Sequence, residues 1–150
     1  MVTRARARVP RYDRRRMNAR GIHHLGVAVD DLDAAVSTYE RLFGAELEQR
    51  ARVADQGVEA AALRIGSGRV ELLEPLADDT PVGRFLSKRG PGMHHVAYEV
   101  SDVEEAIASL SGAGADMIDE RPREGLFGLE VAFVHPDSVH GVLSEVVAPA

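Results

Sequence analysis

The chain writes one local pattern twice. "GIHHLGVAVDDLDAAVSTYERLFGAE" begins at Gly21, and a looser copy, "GMHHVAYEVSDVEEAIASLSGAGAD", begins at Gly92. Self-similarity of this kind marks a repeated supersecondary unit, so both copies must take the same local structure and bury their apolar faces together. In the first copy Ile22, Leu25, Val27 and Val29 are apolar, with His24, Gly26 and Ala28 between them, which predicts a strand over Ile22 to Val29. Asp30 and Asp31 then offer N-caps, and Leu32, Val36, Tyr39, Leu42 and Phe43 recur at helical spacing until Gly44. The second copy predicts a strand over Met93 to Val100, a capping box from Ser101 and Glu104, and an apolar stripe of Val103, Ile107 and Leu110 before Gly112 and Gly114. Three extended segments follow each helix: "ELEQRARV", "GVEAAALRI" and "RVELLEP", then "ADMIDERP", "LEVAFVHP" and "GVLSEVV".

Each half therefore reads β-α-β-β-β, over about 21–76 and 92–147. A linker helix at about 80–89, opened by Thr80 and Pro81 and stopped by Gly90, joins them. The expected class is α+β: one domain over residues 20–150, with a cupped mixed sheet that carries its helices on the outer face and leaves the inner face free. At 150 residues and 45% hydrophobic content such a unit has enough apolar side chain for a core.

Composition narrows the chemistry. There is no cysteine, so a metal could be held only by nitrogen and oxygen donors. The net charge of −6 argues against a nucleic-acid partner, and no apolar run approaches the roughly 20 residues that span a bilayer. A cytoplasmic protein without membrane contact is expected. Charge is unevenly spread, because the first sixteen residues hold seven Arg against one Asp. Residues 1–19 are expected to be a disordered Arg-rich extension, with Met17 as the start of the functional chain.

The registers of the two halves can be compared. The second histidine of each pair stands at 24 and 95, and a glutamate stands in each terminal strand, at 71 and 145. Glu71 follows His24 by 47 residues and Glu145 follows His95 by 50. Period-two alternation sends Glu71 to the same face as Leu73, and Glu145 to the same face as Leu143. His24, Glu71, His95 and Glu145 are thus expected to converge on the helix-free face. Two imidazoles and two carboxylates suit one divalent cation of borderline hardness, and cobalt, manganese, nickel and zinc fit almost equally. His23 and His94 alternate to the other face and are expected to be structural. His135 and His140 lie beside the hairpin "VHPDSVHGVL", where His135 is a candidate ligand contact at the mouth of the cup.

"IHHLGVAV", "VELLEP", "GMHHVAYEV" and "GVLSEVV" resemble the vicinal oxygen chelate (glyoxalase-like) superfamily. The block "ELLEPLADDTPVGRFLSKRGPGMHHVAYEV", with "IDERPREG" and "FVHPDSVHGVLSEVV", resembles its methylmalonyl-CoA epimerase family, and the likeness runs from about Gly21 to Val147. The resemblance implies a homodimeric, metal-dependent epimerase of an acyl-CoA thioester, with His24, Glu71, His95 and Glu145 as metal ligands and Glu145 as one acid/base. In several family members the other acid/base is a glutamate four residues after the Gln of "QGV", a place held here by Ala60. Glu59 is then the nearest candidate, provided that a bulge turns it inward. Gln56 is expected beside the substrate. The pattern often carries cations around "HP" where this chain has Leu129, Glu130 and Asp137, so Arg84, Lys88, Arg121 and Arg123 are the candidate partners for coenzyme A phosphates. A glyoxalase I-like lyase or isomerase, and a non-catalytic small-molecule-binding cup, remain open alternatives.

Overall fold

A computed structural model describes residues 17–149. Residues 1–16 of the extension expected over residues 1–19 lie outside the described residues. Met17 is placed, contrary to its expected disorder: its backbone N–H donates to Ser109 Oγ at 3.0 Å, and its side chain packs against the cluster that contains Val103 and Val146.

The first half comprises β1 (Gly21–Ala28), α1 (Leu32–Phe43), β2 (Glu46–Val53), β3 (Val58–Ile65) and β4 (Gly68–Pro75). After α2 (Pro81–Arg89) come β5 (Gly92–Glu99), α3 (Val103–Gly112), β6 (Arg123–Glu124), β7 (Glu130–Val134) and β8 (Ser144–Ala148). One eight-stranded sheet runs β2-β3-β4-β1-β5-β8-β7-β6. Within each half the first and last strands are parallel, β1 with β4 and β5 with β8. The halves meet where β1 pairs antiparallel with β5.

The helices start and stop where side chains can serve their ends. Asp31 accepts from the Ala34 N–H at 3.0 Å, Thr80 Oγ1 from Gly83 at 3.1 Å, and Gly44 closes α1 with φ 63 in the left-handed region. In α3 the cap is Asp102, which accepts from Glu105, and not the predicted Ser101 with Glu104. Asp has the same short acceptor one position later, so the helix frame shifts by one residue. The predicted strand "ADMIDERP" is reduced to a Met117–Val134 bridge, and the two-residue β6 begins only after it, at Arg123. Pro122 has no N–H to give to a ladder.

Both α1 and α3 lie on the convex face. Leu32 and Val36 bury against Ala61, Leu63 and Leu72, while Val103, Ala106 and Ile107 bury against Ala132 and Val146. The linker helix departs from expectation. Val82 of α2 packs with Ala28, Val58, Ala60 and Leu73, which belong to the concave face, so α2 covers one end of the cup. Leu126 and Phe127 of a short turn before β7 pack on that same cluster, and Gln56 donates to the Glu124 carbonyl at 3.3 Å. The far edges of the sheet thereby touch across the mouth of the cup.

Two β-bulges break the central seam. Ile22 faces Tyr98 and His24 faces Ala97, which leaves His23 unpaired in β1. Gly26 faces His95 and Val27 faces Met93, which leaves His94 unpaired in β5. The bulged residues are the first histidines of the two repeated pairs.

Candidate metal centre and active site

Alternation along β1, β4, β5 and β8 carries one side chain from each strand to the floor of the cup. His24, Glu71, His95 and Glu145 are only 2%, 4%, 4% and 6% exposed. The Nε2 atoms of His24 and His95 lie 3.1 Å apart. Glu71 Oε2 is 3.2 Å from His24 Nε2, and Glu145 Oε2 is 3.2 Å from His95 Nε2 and 3.8 Å from His24 Nε2. His24, His95 and Glu145 each offer a ligand atom within 4.8 Å of the other two, so this group could hold a metal ion. Glu71 adjoins it through His24.

The close approach depends on Gly26. A Cβ there would stand 2.1 to 2.7 Å from three atoms of the His95 ring, so a bare backbone is what lets the imidazole lie across β1. Phe133 sets its ring edge against His95 at 5.6 Å between centroids, on the opposite side.

Electrostatics fit a cation. Burial, reinforced by His95 and His23, pushes His24 down to about 3, so its ring is neutral and can act as a ligand at neutral pH. Burial, followed by the neighbouring Glu145, pushes Glu71 up to about 8. Two acids forced together out of water demand either a proton or a positive ion. His94 is pushed down to about 4 by burial and then by His95, and His23 is lowered mainly by burial.

Above this floor is a cavity of about 480 Å3. Its walls include Val58, Leu73, Val82, Leu126, Leu129, Val131 and Leu143, with Gln56, Thr80, His94 and Arg123 among the polar lining groups. Such a pocket, apolar with a few convergent polar groups, suits a small acyl group.

The pattern of the Glyoxalase/Bleomycin resistance protein/Dioxygenase superfamily matches residues 23–133. The ethylmalonyl-CoA/methylmalonyl-CoA epimerase of Cereibacter sphaeroides is 36% identical over 126 residues, which are 83% of this chain and 94% of that protein. The crystal structure of methylmalonyl-CoA epimerase from Mycobacterium tuberculosis superposes with a TM-score of 0.84 at 34% identity, over 88% of this chain and 89% of that one. A serine-to-threonine variant of Streptomyces coelicolor methylmalonyl-CoA epimerase, in complex with 2-nitronate-propionyl-CoA, gives 0.85 at 37% identity, over 89% and 96%. The chain belongs to this superfamily and, within it, to the methylmalonyl-CoA epimerase family.

Several of the residues expected to serve this epimerase family member as site groups lie elsewhere. Glu59 does not line the cavity. The β3–β4 ladder runs without a bulge, so Glu59 stays on the convex side, where it bonds Arg50 at 3.0 Å; Arg50 also pairs with Asp33 of α1 at 2.6 Å. Ala60 faces inward and is wholly buried, so β3 presents no acid at that register. His135 is also outside the cavity, because its Nδ1 accepts from the Asp137 N–H at 3.1 Å in the turn after β7. Arg84 and Lys88 lie on the exposed side of α2, where Arg84 donates to the Asp79 carbonyl. Gln56 and Arg123 do line the cavity. The Arg123 guanidinium lies over the Phe133 ring at 5.3 Å and bonds Asp119 at 3.0 Å.

Sequence reasoning missed two features of the epimerase fold that shape the floor. Gly26 was legible as an isolated glycine within a strand, a sign of close backbone approach. His23 and His94 do not point under the helices, since the bulges place their Nδ1 atoms 2.8 and 3.0 Å from those of His24 and His95. Two consecutive polar residues in an otherwise alternating strand were the available signal.

Proposed function

We propose that this protein interconverts the (2R) and (2S) forms of methylmalonyl-CoA by moving the C2 proton within the cup. Four ligand-type side chains, two from each half, gather under an apolar cavity, and that convergence carries the reading. His24, Glu71, His95 and Glu145 are proposed to hold one divalent ion from the group cobalt, manganese, nickel and zinc. When bound, such an ion supplies Lewis-acid stabilisation for the negative charge that develops on a thioester oxygen.

The chain's own acids carry the proton. Inversion needs a proton acceptor on one face of C2 and a donor on the other. Glu145 and Glu71 come from the equivalent last strands of the two halves, and their carboxylates reach His24 Nε2 at 3.8 and 3.2 Å. Glu145 takes the proton from one face, Glu71 delivers one to the other, and the roles exchange in the reverse direction. Glu71 lines the cavity together with Glu145, so it is the second acid within reach of a substrate bound there. It thus replaces the acid missing at Ala60. Gln56 and Arg123 are proposed to bind the acyl-CoA chain at the mouth of the cavity.

The test is turnover in deuterated water. Wild type should incorporate label at C2 of methylmalonyl-CoA while inverting it. Glu71→Gln should still exchange label into one stereoisomer but no longer invert it. Loss of exchange with both stereoisomers, or full inversion, would remove Glu71 from this role. Turnover of methylglyoxal with glutathione in place of the thioester would overturn the substrate assignment. A homodimer in a cytoplasmic setting completes the proposal, and sedimentation of the purified chain tests the dimer.

A further inference from the structure

We infer that His23 and His94 are positioning residues that fix the ring tautomers of His24 and His95, and so set how tightly the centre holds its cation. The inference rests on the proposed metal centre and extends it to two side chains outside the proposed ligand set. Each is the unpaired residue of a β-bulge, His23 in β1 and His94 in β5. In a regular strand both rings would turn to the opposite face from their neighbours. The bulges turn them back, a use that bulges often serve beside functional sites.

The result is the same in both halves. His23 Nδ1 lies 2.8 Å from His24 Nδ1, and His94 Nδ1 lies 3.0 Å from His95 Nδ1. The ring pairs meet edge to face, with centroids 5.1 and 5.3 Å apart and planes at 78° and 86°. Phe85 holds His94 in turn through an edge contact at 5.0 Å.

Proton placement follows from the chemistry of imidazole. A histidine that ligates through Nε2 keeps its one proton on Nδ1, which makes Nδ1 a donor. The atom 2.8 or 3.0 Å away must then present a lone pair, so His23 and His94 keep their protons on Nε2. His24 Nδ1–H donates to His23 Nδ1, and His95 Nδ1–H donates to His94 Nδ1. With both Nδ1 protons committed, the two Nε2 lone pairs, 3.1 Å apart, remain directed at the shared site. Ligand histidines usually give this second hydrogen bond to a carboxylate or carbonyl. Here another histidine receives it, which explains why the double histidine is written twice.

Zinc and cobalt binding to the chelator-treated full chain tests this by titration calorimetry. His23→Leu and His94→Leu remove the acceptor. His23→Asn and His94→Asn retain one, because the amide oxygen stands near the position of Nδ1. Each leucine variant should bind about 10- to 100-fold more weakly than wild type, and each asparagine variant within roughly threefold of it. In the zinc-loaded wild type, long-range proton–nitrogen NMR should find His24 and His95 protonated on Nδ1, and His23 and His94 on Nε2. Opposite tautomers, or leucine variants that bind as tightly as wild type, would overturn the inference while leaving the metal centre intact. A wild type that binds neither ion would overturn the centre and the inference together. If a leucine variant does not fold, the wild-type tautomers decide.

Discussion

Stripped of any cation, the centre should show a pH dependence of stability that one substitution removes. Burial and the neighbouring Glu145 hold the Glu71 carboxyl up at about 8, against an ordinary 4.5. The fold therefore binds this proton more tightly than the unfolded chain does. Its contribution is fully present below about 4.5 and is lost as pH rises toward 8. At full extent the difference is worth ~5 kcal/mol, of which ~4 kcal/mol falls between pH 5 and pH 9. For a chain of this size that corresponds to a melting shift on the order of 10 °C. Glutamine has no proton to lose and keeps the shape, so Glu71→Gln should lack this loss. The assay is urea unfolding of chelator-treated wild type and variant at pH 5, 7 and 9. The stability of the variant relative to wild type should rise by ~4 kcal/mol across that range. Added cobalt should restore the wild type at pH 9 by binding the carboxylate. Parallel wild-type and variant curves would refute the reasoning.

His24 should produce the opposite limb, since burial lowers it to about 3; metal-free wild type should lose stability as pH falls from 6.5 toward 3, read by the same unfolding series. His95→Ala should abolish both retained metal, measured by elemental analysis, and turnover, because one lost ligand undoes site and activity together. Gly26→Ala should displace the His95 ring and weaken cobalt binding by about tenfold or more, with little change in far-ultraviolet circular dichroism. Arg123→Ala should raise KM for the thioester more than it lowers kcat, as expected for a residue at the mouth and not the floor.

Much of the centre was legible because duplication supplies an internal control. A histidine in a strand is ordinary, but one recurring beside a glutamate at matched intervals in both copies required a shared face. Alternation then carried His24, Glu71, His95 and Glu145 to the cup, since β4 and β8 keep a strict period of two. The same rule failed at His23 and His94. A bulge is a property of the pairing between two strands, and the doubled polar residue in each strand signals a break in alternation without saying which way the extra ring turns. Glu59 is the converse case, where the hoped-for bulge is absent and Arg50 supplies an outward partner. The place of α2 was illegible for a similar reason. Its Thr80 cap and Gly90 stop fix its ends but not which side of the sheet Val82 will cover.

The antiparallel seam between β1 and β5 puts half of the donor set on each side of the chain's midpoint. A protease nick near Gly90 would leave two fragments, each with one imidazole and one acid of the proposed donor set and so only half of the four-ligand centre. Their reassembly should therefore be driven by the ion itself, and an added chelator should separate them.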